Sequence, residues 1–195
     1  VGARVHALHR LDKGTSGAVV FARSAAAAAP LSAAFREDRV DKVYLAVVRG
    51  WPADATVVDQ PLADIADPGA GLTASAPRPA RTEVRTVARV ELAHPVGRYA
   101  TARYALVECR PRSGRRHQIR RHLKHLRHPV IGDANYGDLR HNRFFRDDLG
   151  VGRLLLANVE IAFVHPFTDA VVQVRAPLDD AFCRALAALG LESTA

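Results

Sequence analysis

The sequence predicts an α+β domain on a mixed, mostly antiparallel central sheet flanked by helices and loops. Strand-like runs outnumber helical ones, the two kinds do not alternate as a doubly wound sheet would require, and no strand leads into a glycine-rich phosphate loop. The 195 residues, 48% of them apolar, suit a single domain spanning 1–195. Strands are expected over 18–23, 42–50, 82–92, 102–110, 154–163 and 170–175, where apolar and β-branched residues alternate or cluster. Helices are expected over 25–37 behind Ser24 as N-cap, over 114–128 ended by Pro129, and over 179–189 ended by Gly190. Pro30 interrupts the first of these. A mobile surface loop is expected at about 61–81, where Pro, Gly, Ala and Asp dominate without a steady period.

Composition narrows the function classes. A quarter of the residues are charged and 6% aromatic, an ordinary globular balance that argues against disorder or a fibre. No apolar run reaches membrane-spanning length, so no membrane partner is expected. Two cysteines, Cys109 and Cys183, cannot build a disulfide framework, and with no secretory signal a cytoplasmic location is expected. The net charge of +8 is focused: Arg110, Arg112, Arg115, Arg116, Arg120, Arg121, Lys124 and Arg127 fall in a stretch without Asp or Glu, and the rest of the chain is formally neutral. A solvated surface normally mixes signs, so a polyanionic partner is favoured. Arginine greatly outnumbers lysine, and its planar fork suits phosphate and stacked bases.

The helix expected at 114–128 shows how these cations are presented. Ile119, Leu123 and Leu126 form a narrow apolar stripe, with Arg116, Arg120, Lys124 and Arg127 on one flank and His117, Arg121, His125 and His128 further round. A metal site built on His117, His122, His125 and His128 is disfavoured, because no carboxylate or thiol is near and the guanidinium groups would repel a dication. In the strand at 42–50, Val43, Leu45 and Val47 share one face, while Lys42, Tyr44, Ala46 and Val48 share the other. Tyr44 can therefore fill a core gap or belong to a site beside a charge. Asp12 stands in a glycine-flanked turn, where an aspartate serves as turn former, cap or catalyst.

Motifs in order resolve these choices. His9-Arg10-Leu11-Asp12-Lys13-Gly14-Thr15-Ser16-Gly17 resembles the HRLD-x-x-TSG signature of the RluA-type pseudouridine synthases. Lys42-Val43-Tyr44-Leu45-Ala46-Val47-Val48-Arg49-Gly50 resembles that family's K-x-Y-x-A-x-V-x-G strand, and Ser113-Gly114-Arg115-Arg116-His117-Gln118-Ile119-Arg120 its TGR-x-HQIR motif, with Ser for Thr. His128-Pro129-Val130-Ile131-Gly132-Asp133 and Tyr136-Gly137-Asp138 resemble HPI-x-GD-x-x-YG. The likeness runs from about His6 to Gly190, and it is strongest to the family's tRNA-directed members.

The resemblance implies the pseudouridine synthase catalytic fold and isomerisation of a uridine in RNA, without metal, nucleotide or other cofactor. Asp12 would be the catalytic carboxylate, acting by attack on the ribose, attack on the ring, or removal of a ribose proton. Arg120 would pair with Asp12 and orient it. Tyr44 would stack on the target base, with removal of the C5 proton as a second task. Arg10 would replace the flipped-out nucleotide in the helix. Other RNA contacts are expected from His9, Thr15, Arg115, Arg116, His117, Gln118, Arg121 and Lys124, and a pocket wall from Ile119 and Leu155. The expected partner is tRNA, in its T-stem, acted on by a monomer. Large-subunit ribosomal RNA is the alternative substrate, and a non-catalytic RNA-binding module the alternative class. Two departures stand out. Family members carry His-Ala after the leucine-rich strand, where this chain reads Leu154-Leu155-Leu156-Ala157-Asn158. The chain also opens at Val1, close to the catalytic loop, so an N-terminal segment of the domain is expected to be missing.

Overall fold

Alternation along the apolar strands produces a sheet that is buried on both faces. The computed structural model describes residues 5–65 and 75–191. Its elements are β1 (His6–Ala7), β2 (Ser16–Gly17), β3 (Phe21–Ala22), α1 (Ala25–Arg36), β4 (Asp41–Arg49), β5 (Ala55–Asp59), β6 (Arg81–Leu92), β7 (Ala102–Pro111), α2 (Gln118–His125), α3 (Leu139–Asp147), β8 (Leu156–Val164), β9 (Val171–Arg175) and α4 (Asp180–Leu189). β1 and β3 form a separate antiparallel pair. The main sheet runs β2-β8-β4-β7-β6-β5, with β9 also on β8. All its pairings are antiparallel except β2 with β8, which is the α+β architecture expected.

β4 lies inside the sheet, and its alternating residues feed two cores. Leu45 and Val47 join Tyr104, Leu106, Leu155, Phe144 and Phe145 of α3, and Phe182 and Leu186 of α4. On the other face Ala46 and Val48 join Ala105, Val107, Leu154, Leu156 and, from α2, Ile119 and Leu123, with Tyr44 packed against them. The second face carries the site.

Several sequence expectations need correction. The run at 18–23 does not form one strand: only Phe21–Ala22 of it is paired, as β3 with β1, while the preceding Ser16–Gly17 joins the main sheet as β2. β5 and α3 were not foreseen: β5 is a short edge strand resting on Thr56-Val57-Val58, and α3 is a short cationic helix capped by Asp138, whose side chain accepts from the Arg140 N–H. α2 begins at Gln118, four residues later than expected, because His117 sits in the left-handed region at φ 54°. It stops at His125, and Arg127 is again left-handed at φ 65°. α1 tolerates Pro30 and keeps the expected Ser24 cap. The loop expected at 61–81 lies in part, over 66–74, outside the described residues. Its described flanks are tied together by a bridge between Leu62 and Arg78 and by the Arg78–Asp64 ion pair at 2.8 Å. Among the described residues, no helix is long and apolar enough to cross a membrane.

Candidate active site

The turn that presents Asp12 depends on a glycine. The Thr15 N–H donates to the Asp12 carbonyl at 2.9 Å, and Gly14, third in this four-residue turn, has φ +87°. That position favours glycine on conformational grounds, and a side chain there would also approach Leu154 Cβ at 3.3 Å. The following residues are pressed just as closely onto β8, since a Cβ at Gly17 would lie 2.0 Å from the Asn158 carbonyl oxygen. Arg153 locks the turn from outside. Its Nη2 donates to the Gly14 carbonyl at 2.9 Å and to Ser16 Oγ at 3.2 Å, its Nε donates to the Leu154 carbonyl, and its Nη1 pairs with Asp179. Asp179 in turn caps α4 by accepting from the Ala181 and Phe182 N–H groups.

Arg120 reaches Asp12 from α2, which packs on the site face of the sheet. Its Nη1 lies 3.5 Å from Asp12 Oδ2, while Nε and Nη2 grip Asp133 at 2.7 and 2.8 Å. The Asp133 carboxylate is fully buried and also accepts from the Asn135 and Tyr136 N–H groups. Burial alone would raise its pKa, but these hydrogen bonds outweigh burial and hold it below the usual carboxylate range. Asp133 therefore neutralises and aims a buried guanidinium whose remaining arm reaches Asp12. Tyr136 completes the shell, with its ring 5.1 Å from the guanidinium carbon and its hydroxyl 3.0 Å from His117 Nδ1.

Tyr44 projects from β4 into the same space. Burial, reinforced by the Asp12 charge, pushes its phenol far above the ordinary value, so it stays neutral at physiological pH. A neutral ring suits stacking on a base. Asp12 and Tyr44 line a cleft of about 670 Å³ whose walls also hold Leu8, His9, Arg10, Thr15, Lys42, Arg115, His117, Ile119 and Leu156, with Arg120 and Asp133 buried behind Asp12. Its outline has room for a nucleoside withdrawn from a helix.

A sequence model described as RNA pseudouridylate synthase matches residues 2–125. The chain belongs to this family. It is 41% identical to a tRNA pseudouridine synthase C of Vibrio cholerae, over 100% of this chain and 81% of that protein. It is 44% identical to one of Salmonella typhimurium, over 97% and 74%. Among solved structures it resembles human RNA Pseudouridylate Synthase Domain Containing 1, at 28% identity and a TM-score of 0.71 over 90% of this chain and 69% of that one. The chain is thus a pseudouridine synthase, an isomerase acting on RNA.

The synthase fold brings Asp12, Tyr44 and Arg120 together, with His9, Arg10, Thr15, Arg115, His117, Gln118 and Ile119 around them. Other expected site residues lie elsewhere. Leu155 is in the opposite core, because strand alternation gives the cleft face to Leu154 and Leu156. Arg121 donates to the Ala63 carbonyl at 2.8 Å and Arg116 to that of Ile65 at 3.4 Å, so both engage the described flank of the 61–81 loop outside the cleft wall. Lys124 is exposed on α2, away from the cleft. Gln118 lines the cleft, but all four of its amide hydrogen-bonding positions are used within the protein. It accepts from Ser113 Oγ and the Arg115 N–H, and donates to the Arg81 carbonyl and Thr82 Oγ1, which makes it a scaffold for the Arg115 turn. Residue-by-residue reading missed Asp133, Tyr136 and Arg153. The first two lay inside quoted motifs, and the need of a buried arginine for a counter-charge was the signal for Asp133.

Of the histidines on α2, His122 is fully buried, with Nδ1 2.9 Å from Thr82 Oγ1 and Nε2 3.1 Å from the Gln60 carbonyl. Burial depresses its pKa below 6.5, as it does for His9, His117 and His141. The unfolded chain then binds more protons just below pH 6.5, so stability falls as pH drops through that window. Each such group costs at most about 1.4 kcal/mol per pH unit, and about 1 kcal/mol moves Tm by roughly 2–4 °C at this size. Melting at pH 5.5 is therefore expected several degrees below melting at pH 7.5, and His122→Gln should reduce the difference. An equal pH dependence in wild type and variant would contradict this role for His122.

Proposed function

We propose that this synthase converts a uridine of tRNA to pseudouridine, as one catalytic domain, with Asp12 as the catalytic carboxylate. The observation that carries this reading is the Asp12–Arg120 contact of 3.5 Å, facing Tyr44 inside a cleft large enough for a flipped nucleoside. The relatives named tRNA pseudouridine synthase C support tRNA as substrate.

The reaction breaks the N1–C1′ bond, makes C5–C1′, and exchanges a C5 proton for one on N1. It is redox-neutral and transfers no phosphoryl group. The cleft residues have matching tasks. Tyr44 offers a ring on which the uracil stacks while it is detached and turned. Arg120, fixed by Asp133, holds the Asp12 carboxylate toward the ribose and ring. Arg10, exposed at the cleft mouth, can fill the gap left by the extruded base.

The test is tritium release from transcripts labelled at uridine C5, offered as tRNA and as large-subunit ribosomal RNA. Release from tRNA alone, followed by mapping of the modified uridine to the T-stem, is expected. Release from ribosomal RNA alone would overturn the substrate assignment. In the same assay Arg153→Ala should lower the rate about 100-fold, because loosening the turn displaces Asp12 on the ångström scale. An unchanged rate would exclude Arg153 as a brace.

A further inference from the structure

Lys42 shares the cleft with Tyr44, two residues further along β4, and neither the mechanism nor the comparisons give it a task. Its side chain is partly buried, yet no carboxylate lies within ion-pair distance of it among the described residues. The neighbouring acids are engaged elsewhere or lie beyond contact. Asp41 pairs with Arg112 at 3.0 Å, Asp12 faces Arg120, and Asp38, exposed at the cleft edge, acts on Lys42 only at longer range. A partly buried ammonium without a counter-ion is costly unless a ligand supplies one. Other cations line the same cleft, with Arg36 at the end of α1 and Arg10 before the catalytic turn. His9 beside them is neutral in character: its Nε2 accepts from the Val20 N–H at 3.0 Å and its ring stacks on Phe35 at 4.6 Å. Burial, only partly offset by Asp38 and Asp41, holds the Lys42 pKa below its ordinary value, as expected of an ammonium still lacking its anion.

We propose that Lys42, with Arg36 lining the same cleft, forms an anion subsite that grips an RNA phosphodiester flanking the uridine stacked on Tyr44. Two residues of strand span roughly 7 Å, the scale separating a base from the phosphate of its own nucleotide. A compact ammonium suits a phosphate oxygen better than a base edge, and such a contact positions the substrate without reading its sequence. The inference rests on the proposed function for its substrate, but its test reads binding and does not need turnover.

The experiment measures affinity for an unmodified tRNA transcript over a series of salt concentrations. The proteins are wild type, Lys42→Met, which keeps the stem and removes the charge, and Lys42→Arg. Lys42→Met should bind about tenfold more weakly at low salt, with the slope of log K against log salt reduced by about 1. Lys42→Arg should recover most of both. The catalytic loss in Lys42→Met should fall mainly on KM. Lysine occurs only at positions 13, 42 and 124, so wild-type protein labelled at the lysine ε-carbon supplies a second readout that needs no change at position 42. The Lys42 resonance, assigned through Lys13→Arg and Lys124→Arg, should titrate at higher pH when RNA is bound. A folded Lys42→Met with wild-type affinity and salt slope, or a Lys42 resonance unmoved by RNA, would overturn the subsite. Failure of wild type to release tritium would strike the proposed function and leave the binding result to decide this inference separately.

Discussion

Asp133→Ala is expected to lower the unfolding free energy by about 3–5 kcal/mol and to abolish turnover. The Asp133 carboxylate is fully buried and Arg120 nearly so, so truncating one partner leaves a guanidinium whose remaining carboxylate contact is the 3.5 Å one to Asp12. The Asn135 and Tyr136 N–H groups lose their acceptor as well. Urea titration reads the first effect. A companion pair separates structure from chemistry: replacing the ion pair by apolar residues, Arg120→Met with Asp133→Leu, should recover much of the stability while leaving the enzyme inactive. Recovery of activity in the double variant would show that the guanidinium is not required at Asp12.

Asp12→Ala should behave in the opposite way. The side chain is a quarter exposed and makes one long ion pair, and the turn around it is set by Gly14 and Arg153. Folding should therefore be little changed, with Tm within a few degrees of wild type. RNA affinity should also survive, because the cationic groups around the cleft remain. Turnover should fall by at least about 10⁴-fold, the scale seen when a reacting side chain is deleted and only binding is left. A large loss of Tm would instead make Asp12 a structural member of the turn.

These contrasts reflect what could be read from the chain. Asp12, Tyr44 and Arg120 were legible because each sits in a distinctive motif, even though 108 positions separate the aspartate from its arginine. The two-faced burial of β4 was half legible, since Leu45 and Val47 announced one core while Lys42 and Tyr44 obscured the other. Other features depended on tertiary choices. Nothing local shows that His117 takes a left-handed conformation and delays α2 to Gln118, or that Leu156 and not Leu155 faces the cleft. The cationic stretch was read as free for RNA, but folding commits Arg115, Arg116 and Arg121 in part to the Pro79, Ile65 and Ala63 carbonyls. A helix as short and charged as α3 shows its apolar face only through Phe144 and Phe145, adjacent residues with no period to detect. Arg153 was invisible because its partners, the Gly14 carbonyl, the Ser16 hydroxyl and the Asp179 carboxylate, are distant in sequence.

The most direct measurement is single-turnover tritium release from a tRNA transcript labelled at uridine C5, with enzyme in excess and binding confirmed in parallel. Wild type should release one equivalent per target uridine, and Asp12→Ala, bound and folded, should release none on the same timescale. Release by the variant within tenfold of the wild-type rate would contradict the assignment of Asp12 as the catalytic carboxylate.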